Sequence, residues 1–176
     1  MGAPTTLSRV LWLTPTVDFA MTFKEAAGKT PHLQNAWCAG LQALRAVDKP
    51  HIKPEYPRKL KASVDVDAAY VPIDPHGNRW DFGIAFRHTN RDAEVIHWVE
   101  TLTASDSQVG KVIKKAQWLL KWFENEERLL KGFEKSILWV SSGATVFTLS
   151  SPLKKQMAQA GLQTVVGTLR IQNKRP

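Results

Sequence analysis

Asp65 and Asp67 stand two apart in a stretch where Val64, Val66, Ala68 and Tyr70 alternate with Ser63, Asp65, Asp67 and Ala69. On a strand this spacing sends both carboxylates to one face, and carboxylate oxygens are the ligands that hard cations such as Mg2+ take. The competing arrangement is an exposed face, or pairing with Arg79, Arg87 or Lys61, because an unpaired buried carboxylate is costly. A second constellation is cationic and aromatic: Lys111, Lys114, Lys115, Trp118, Lys121 and Trp122 recur at helical spacings. Lysines meet phosphates as point charges and an exposed Trp stacks on a base, a combination suited to single strands. The alternative is that Trp118 and Trp122 are covered by the N-terminal 30 residues or by a subunit.

Other chemistries are disfavoured. His97 alternates with Val95 and Val99, the setting of a hydrogen-bonded core imidazole, and His32, His51, His76 and His88 show no zinc-ligand spacing. The chain carries no Walker-type phosphate loop, no dinucleotide-binding glycine fingerprint and no nucleophile elbow. The lone Cys38 excludes an internal disulfide and any multi-cysteine metal site, which points to a reducing compartment and a buried small hydrophobe. The apolar run Val10-Leu11-Trp12-Leu13 is broken at once by Thr14-Pro15. With no longer apolar run, a cytoplasmic protein without a membrane partner is expected.

A net charge of +8 suggests an anionic partner. No acidic residue follows Glu134, whereas Lys135, Lys154, Lys155, Arg170, Lys174 and Arg175 do. A second basic run, Lys49, Lys53, Arg58, Lys59 and Lys61, is stiffened by Pro50, Pro54 and Pro57. Solubilising faces would have the same composition.

The elements that must position these groups fit one α/β domain of 176 residues around a central mixed sheet. Residues 1–32 form an N-terminal arm or edge segment, 33–142 the core, and 143–176 a basic C-terminal helix and strand. Leu33, Trp37, Leu41 and Leu44 predict a first helix over 33–47. Strands are expected over Lys59–Val71, Trp80–Arg87 and Glu94–Thr103, the last covered on both faces. Ser105-Asp106-Ser107-Gln108 matches a capping box ahead of a long helix. A strand at Ile137–Val140, a helix at Pro152–Ala160 and a strand at Leu162–Ile171 complete the order.

Helix, three strands, helix, strand resembles the common core of the PD-(D/E)XK, or restriction-endonuclease-like, nuclease superfamily. The resemblance covers roughly residues 33–142 and lies in element order more than in motif. It implies an acid at the second core strand, an acid and a lysine two apart on the third, and one or two divalent cations between them. Asp81 and Glu100 fall at the two acidic places. Trp80 replaces the family's proline, and Leu102 stands at the lysine position. Lys111, Lys114 and Lys115 on the next helix are the available substitutes, with Lys114 assigned the catalytic place, and Gln117 resembles a glutamine that some exonuclease-like members carry. Asp65 and Asp67 would add metal ligands to Asp81 and Glu100. Lys111, Lys115, Trp118, Lys121, Lys154 and Lys155 would contact nucleic acid.

The resemblance thus implies a nucleic-acid-acting protein, a Mg2+-dependent phosphodiesterase on DNA or RNA. The alternatives are a nonenzymatic module of the same fold for nucleic acid or an acidic protein, and a small immunity-type partner protein.

Overall fold

The computed structural model describes residues 21–88, 93–103, 105–125, 128–142 and 151–172. Most of the expected N-terminal arm, the 89–92 turn, and Lys174 and Arg175 lie outside the described residues. In chain order the elements are α1 (Phe23–Lys29), β1 (Trp37–Ala39), β2 (Ile52–Pro54), β3 (Leu60–Asp65), α2 (Val66–Tyr70), β4 (Phe82–Arg87) and β5 (Glu94–Thr101), followed by α3 (Asp106–Asn125), α4 (Arg128–Lys131), β6 (Glu134–Ser141), α5 (Ser151–Gln159), β7 (Leu162–Val166) and β8 (Leu169–Ile171).

The alternating segments become an antiparallel meander, β3-β4-β5, inside a mixed sheet of order β1-β3-β4-β5-β6-β7. β6 then runs parallel to β5, which a hairpin cannot achieve, and α3 supplies the crossover. The apolar stripe of α3, from Val109 through Val112, Ala116 and Leu119 to Phe123, packs with Ala85, Ile96 and Trp98 on one sheet face. The other face carries Phe82, Ile84, Phe86, Val99, Leu138 and Val140, and Leu44, Ile52, Leu169 and Ile171 pack there. The last three belong to β2 and β8, which pair in parallel outside the main sheet. β5 is buried on both faces, as its continuous apolar character predicts. At Gly83, an added Cβ would lie 2.7 Å from the Trp98 ring, so only glycine lets that indole lie against β4.

Three expectations are corrected. The segment 33–47 is not a helix: it holds β1 and a run of tight turns, and Gly40 at φ 56° breaks any helical path. The helix that precedes the meander is α1 instead. Its N-terminus is held by the Thr22–Glu25 capping box and by Glu94 Oε2, which accepts from Phe23 N at 2.7 Å. The second half of the expected first strand is α2, because Asp65 accepts from Ala68 N at 2.8 Å and caps a helix. Val66 and Tyr70 are then buried at a helical spacing of four, which two-residue alternation mimics over so short a stretch. Finally, the expected strand Leu162–Ile171 is divided at Gly167, whose φ of 79° turns the chain and sends β7 and β8 to different sheets.

The long helix begins as expected, but Ser105 Oγ bonds Ser107 Oγ at 3.0 Å and Gln108 Oε1 has no partner among the described residues, so the reciprocal capping box is not formed. Among the described residues, no helix is long and apolar enough to cross a membrane.

Candidate functional site

Register brings the two acids together. Phe82 pairs with Val99 across β4 and β5, so Asp81, one residue before β4, lies beside Glu100, one residue further along β5. Alternation places Asp81 with Gly83 and Ala85, and Glu100 with Ile96 and Trp98, on the face that α3 covers. Asp81 N donates to Glu100 Oε2 at 3.2 Å, and Glu100 is 1% exposed.

Lys115 reaches this pair from α3. Its Nζ lies 3.1 Å from Asp81 Oδ1 and also contacts Glu100 Oε1. Burial, and then the neighbouring Asp81 carboxylate, push the Glu100 carboxyl up to about 8. Burial works against a charged Lys115, but the Glu100 and Asp81 carboxylates outweigh it and raise its pKa above the ordinary lysine value. Burial thus favours the proton on Glu100, while the two acids keep the proton on Lys115.

Arg45 approaches from the other side. Its Nη2 lies 3.1 Å from Asp81 Oδ2, its Nε donates to Asp48 Oδ2, and its guanidinium sits 5.1 Å from the Phe82 ring centroid. Asp81 Oδ2 also accepts from Thr101 N at 3.1 Å, and Thr101 Oγ1 donates to Asp48 Oδ1 at 2.7 Å. Asp48 is thus a buried support that orients both Arg45 and Thr101. The groups open into a cleft of about 330 Å³ whose lining includes Arg45, Arg79, Asp81, Glu100, Lys111 and Lys115.

The expected metal set is only partly assembled. Asp81 and Glu100 meet, whereas Asp65 spends its carboxylate as the α2 cap. Burial, followed by Asp67 and opposed by the bond from Ala68, raises the pKa of Asp65. Asp67 lines the cleft but is paired with Arg79 Nε at 2.9 Å. Among the described residues, no group of three or more His, Cys, Asp or Glu could hold a metal unaided.

The lysine assignment is corrected. Lys114 is exposed and contributes nothing to the acid pair, while Lys115, assigned above to nucleic-acid contact, holds both carboxylates. The signal lay in helix geometry: Lys115 adjoins buried Ala116 and stands between Val112 and Leu119 on the sheet-facing side, whereas Lys114 sits beside exposed Lys111 and Gln117. Lys111 lines the cleft, and Lys121, Lys154 and Lys155 are exposed.

Trp118 is half-buried, donates Nε1 to Asp74 Oδ2 at 3.0 Å, and packs against Tyr70 and the buried Trp122. The cover that the sequence leaves to the N-terminus or a subunit therefore comes from α2 and the turn after it. His97 is a core imidazole as expected, with Nδ1 2.7 Å from Ser136 Oγ. Arg45, Asp48 and Thr101 escaped the sequence reading. Arg45 and Asp48 lie in the segment read as helix, and Thr101 matters through a backbone register.

Comparison with known protein families, curated proteins and solved structures finds no match. The cleft's own groups therefore carry the case for its chemistry. Two carboxylates, one shared ammonium and a half-exposed guanidinium can bind an anion and a hard cation side by side.

Proposed function

We propose that the chain is a divalent-metal-dependent phosphodiesterase acting on nucleic acid, with a restriction-endonuclease-like core. One observation carries this reading: Asp81, Glu100 and Lys115 meet at one point, delivered by the second and third strands of the meander and by the crossover helix. That is the acid–acid–lysine grouping the family resemblance implies, with the lysine moved from the third strand to α3.

The donor set fits Mg2+. Asp81 Oδ1 and Glu100 Oε1 converge on one position, and Mg2+ commonly takes one or two carboxylates and fills its remaining sites with water and substrate phosphate. Such an ion, held by Asp81 and Glu100, would supply an activated water and offset charge at the phosphate. The protein's own contribution is positioning and electrostatics. Arg45, held by Asp48 and stacked over Phe82, presents a fixed guanidinium suited to a phosphate oxygen. Lys115 brings a charged ammonium to the acid pair, and Lys111 adds a charge on the same cleft wall.

The second reading, a nonenzymatic module of the same fold, is favoured by the fact that each carboxylate oxygen of Asp81 and Glu100 already has a protein partner. A cleavage screen separates the two, using single- and double-stranded DNA and RNA with Mg2+, Mn2+ or EDTA. Metal-dependent cleavage lost on Asp81→Asn supports the enzyme. Salt-sensitive binding without cleavage supports the module, and absence of binding at low salt leaves an acidic protein as the partner.

A further inference from the structure

We propose that Lys115 is a displaceable internal counter-ion, whose ammonium occupies the cation position between Asp81 and Glu100 and must withdraw into the cleft when a divalent ion binds. This rests on the metal-dependent reading above and adds to it a competition between one side chain and the metal for the same two oxygens.

The bonds around the acids leave no other position. Asp81 Oδ2 is taken by Thr101 N and Arg45 Nη2, both at 3.1 Å, and Glu100 Oε2 by Asp81 N at 3.2 Å. Those contacts fix the ends of β4 and β5 and would be broken only at a cost to the sheet. The remaining oxygens, Asp81 Oδ1 and Glu100 Oε1, are the pair that Lys115 spans. A cation that takes both of these oxygens must therefore displace Nζ.

Charge and space both permit the exchange. A divalent ion would bring two charges to the two oxygens that the ammonium holds with one. Lys115 sits on a flexible four-carbon stem, and its side chain is 12% exposed at the wall of a cleft of about 330 Å³. The withdrawn ammonium would remain on the cleft wall beside Lys111, facing the space that the phosphate of a bound strand would fill.

The test measures Mn2+ binding by calorimetry and melting temperature with and without Mn2+, on the full chain, for the wild type, Lys115→Met, Lys115→Arg and the exposed control Lys114→Met. Loss of a partly buried competing ion pair should tighten Mn2+ binding by Lys115→Met about tenfold or more. Without metal, Lys115→Met should melt below the wild type, because two carboxylates lose their shared partner, and Mn2+ should close that gap. Lys115→Arg places a stiffer, forked cation on the same oxygens and should bind Mn2+ more weakly than the wild type, which keeps the proposal testable if Lys115→Met does not fold. Lys114→Met should match the wild type. Wild-type binding that Lys115→Met leaves equal or weakens, or that Lys115→Arg does not weaken, overturns the competition but leaves the metal site standing. No Mn2+ binding by the wild type or either Lys115 variant overturns both.

Discussion

Strand β5 carries a buried glutamate at each end, and the two live in different chemistry. Glu94 is 7% exposed and Glu100 1%, some 20 Å apart at the rise of an extended strand, so burial alone does not separate them. Glu94 is committed to architecture. One oxygen caps α1 through Phe23 N, the other faces Arg87 Nη2 at 4.0 Å, and the adjoining pocket of about 380 Å³ is lined by apolar groups such as Met21, Leu129 and Phe133. Glu100 instead faces a second carboxylate, shares a lysine with it, and opens on a smaller cleft rich in cations. The informative difference is two carboxyl groups held side by side in a cleft, one of them far from its ordinary pKa, an arrangement that folding alone does not require.

On the proposed nuclease reading, the largest effect expected from breaking this contrast is on metal-dependent cleavage. Glu100→Gln and Asp81→Asn should each lower metal-dependent cleavage by about 10³-fold, the scale of several kcal/mol of metal-assisted stabilisation. Glu94→Gln should leave kcat/KM near the wild-type value, measured on the same oligonucleotide. Its cost should appear in urea unfolding, as about 1–3 kcal/mol for a buried N–H left without a charged acceptor. Equal loss of activity in Glu94→Gln would erase the distinction between the two ends.

Acid–base behaviour sharpens the comparison. Glu100 titrates from an ordinary 4.5 to about 8 in the fold, so the folded state binds the extra proton, and its contribution to stability is lost as pH rises from 4.5 towards 8. His97, lowered to about 4 by burial and then by His88, works in the opposite sense: its contribution is present above 6.5 and lost as pH falls towards 4. Between pH 6.5 and 8 the Glu100 effect stands clear of His97. Denaturant titrations across that window should show the wild type losing stability and Glu100→Gln losing less. A parallel decline would place the charge penalty elsewhere.

The smallest effect concerns the lysines at the rim. Lys111→Ala should weaken binding of unrelated oligonucleotides by a few-fold and lower the salt slope by about 1, as for one phosphate contact. Lys114→Ala should do less, since its ammonium does not line the cleft. Filter binding at two salt concentrations checks both, and equal effects would argue for a diffuse basic surface instead of a cleft.

The residues themselves determined much of this arrangement. Period-two patterning in β4, the continuous apolar run of β5 and the 3.6-residue stripe of α3 specify their elements because burial on one face or two leaves a periodic mark. Those elements, taken in order, carried the family resemblance, and it was the resemblance that implied a meeting of Asp81 and Glu100. Short segments were less legible: over Val66–Tyr70 one helical turn and a strand both bury Val66 and Tyr70, and they differ at Ala68, which the helix capped by Asp65 leaves exposed. The pairing register of Phe82 with Val99, the rotation of α3 that chooses Lys115 over Lys114, and the turn that brings Arg45 and Asp48 to Asp81 were decided by tertiary structure alone. Each depends on contacts between segments far apart in the chain, and no local pattern encodes the angle or offset at which two such segments finally pack.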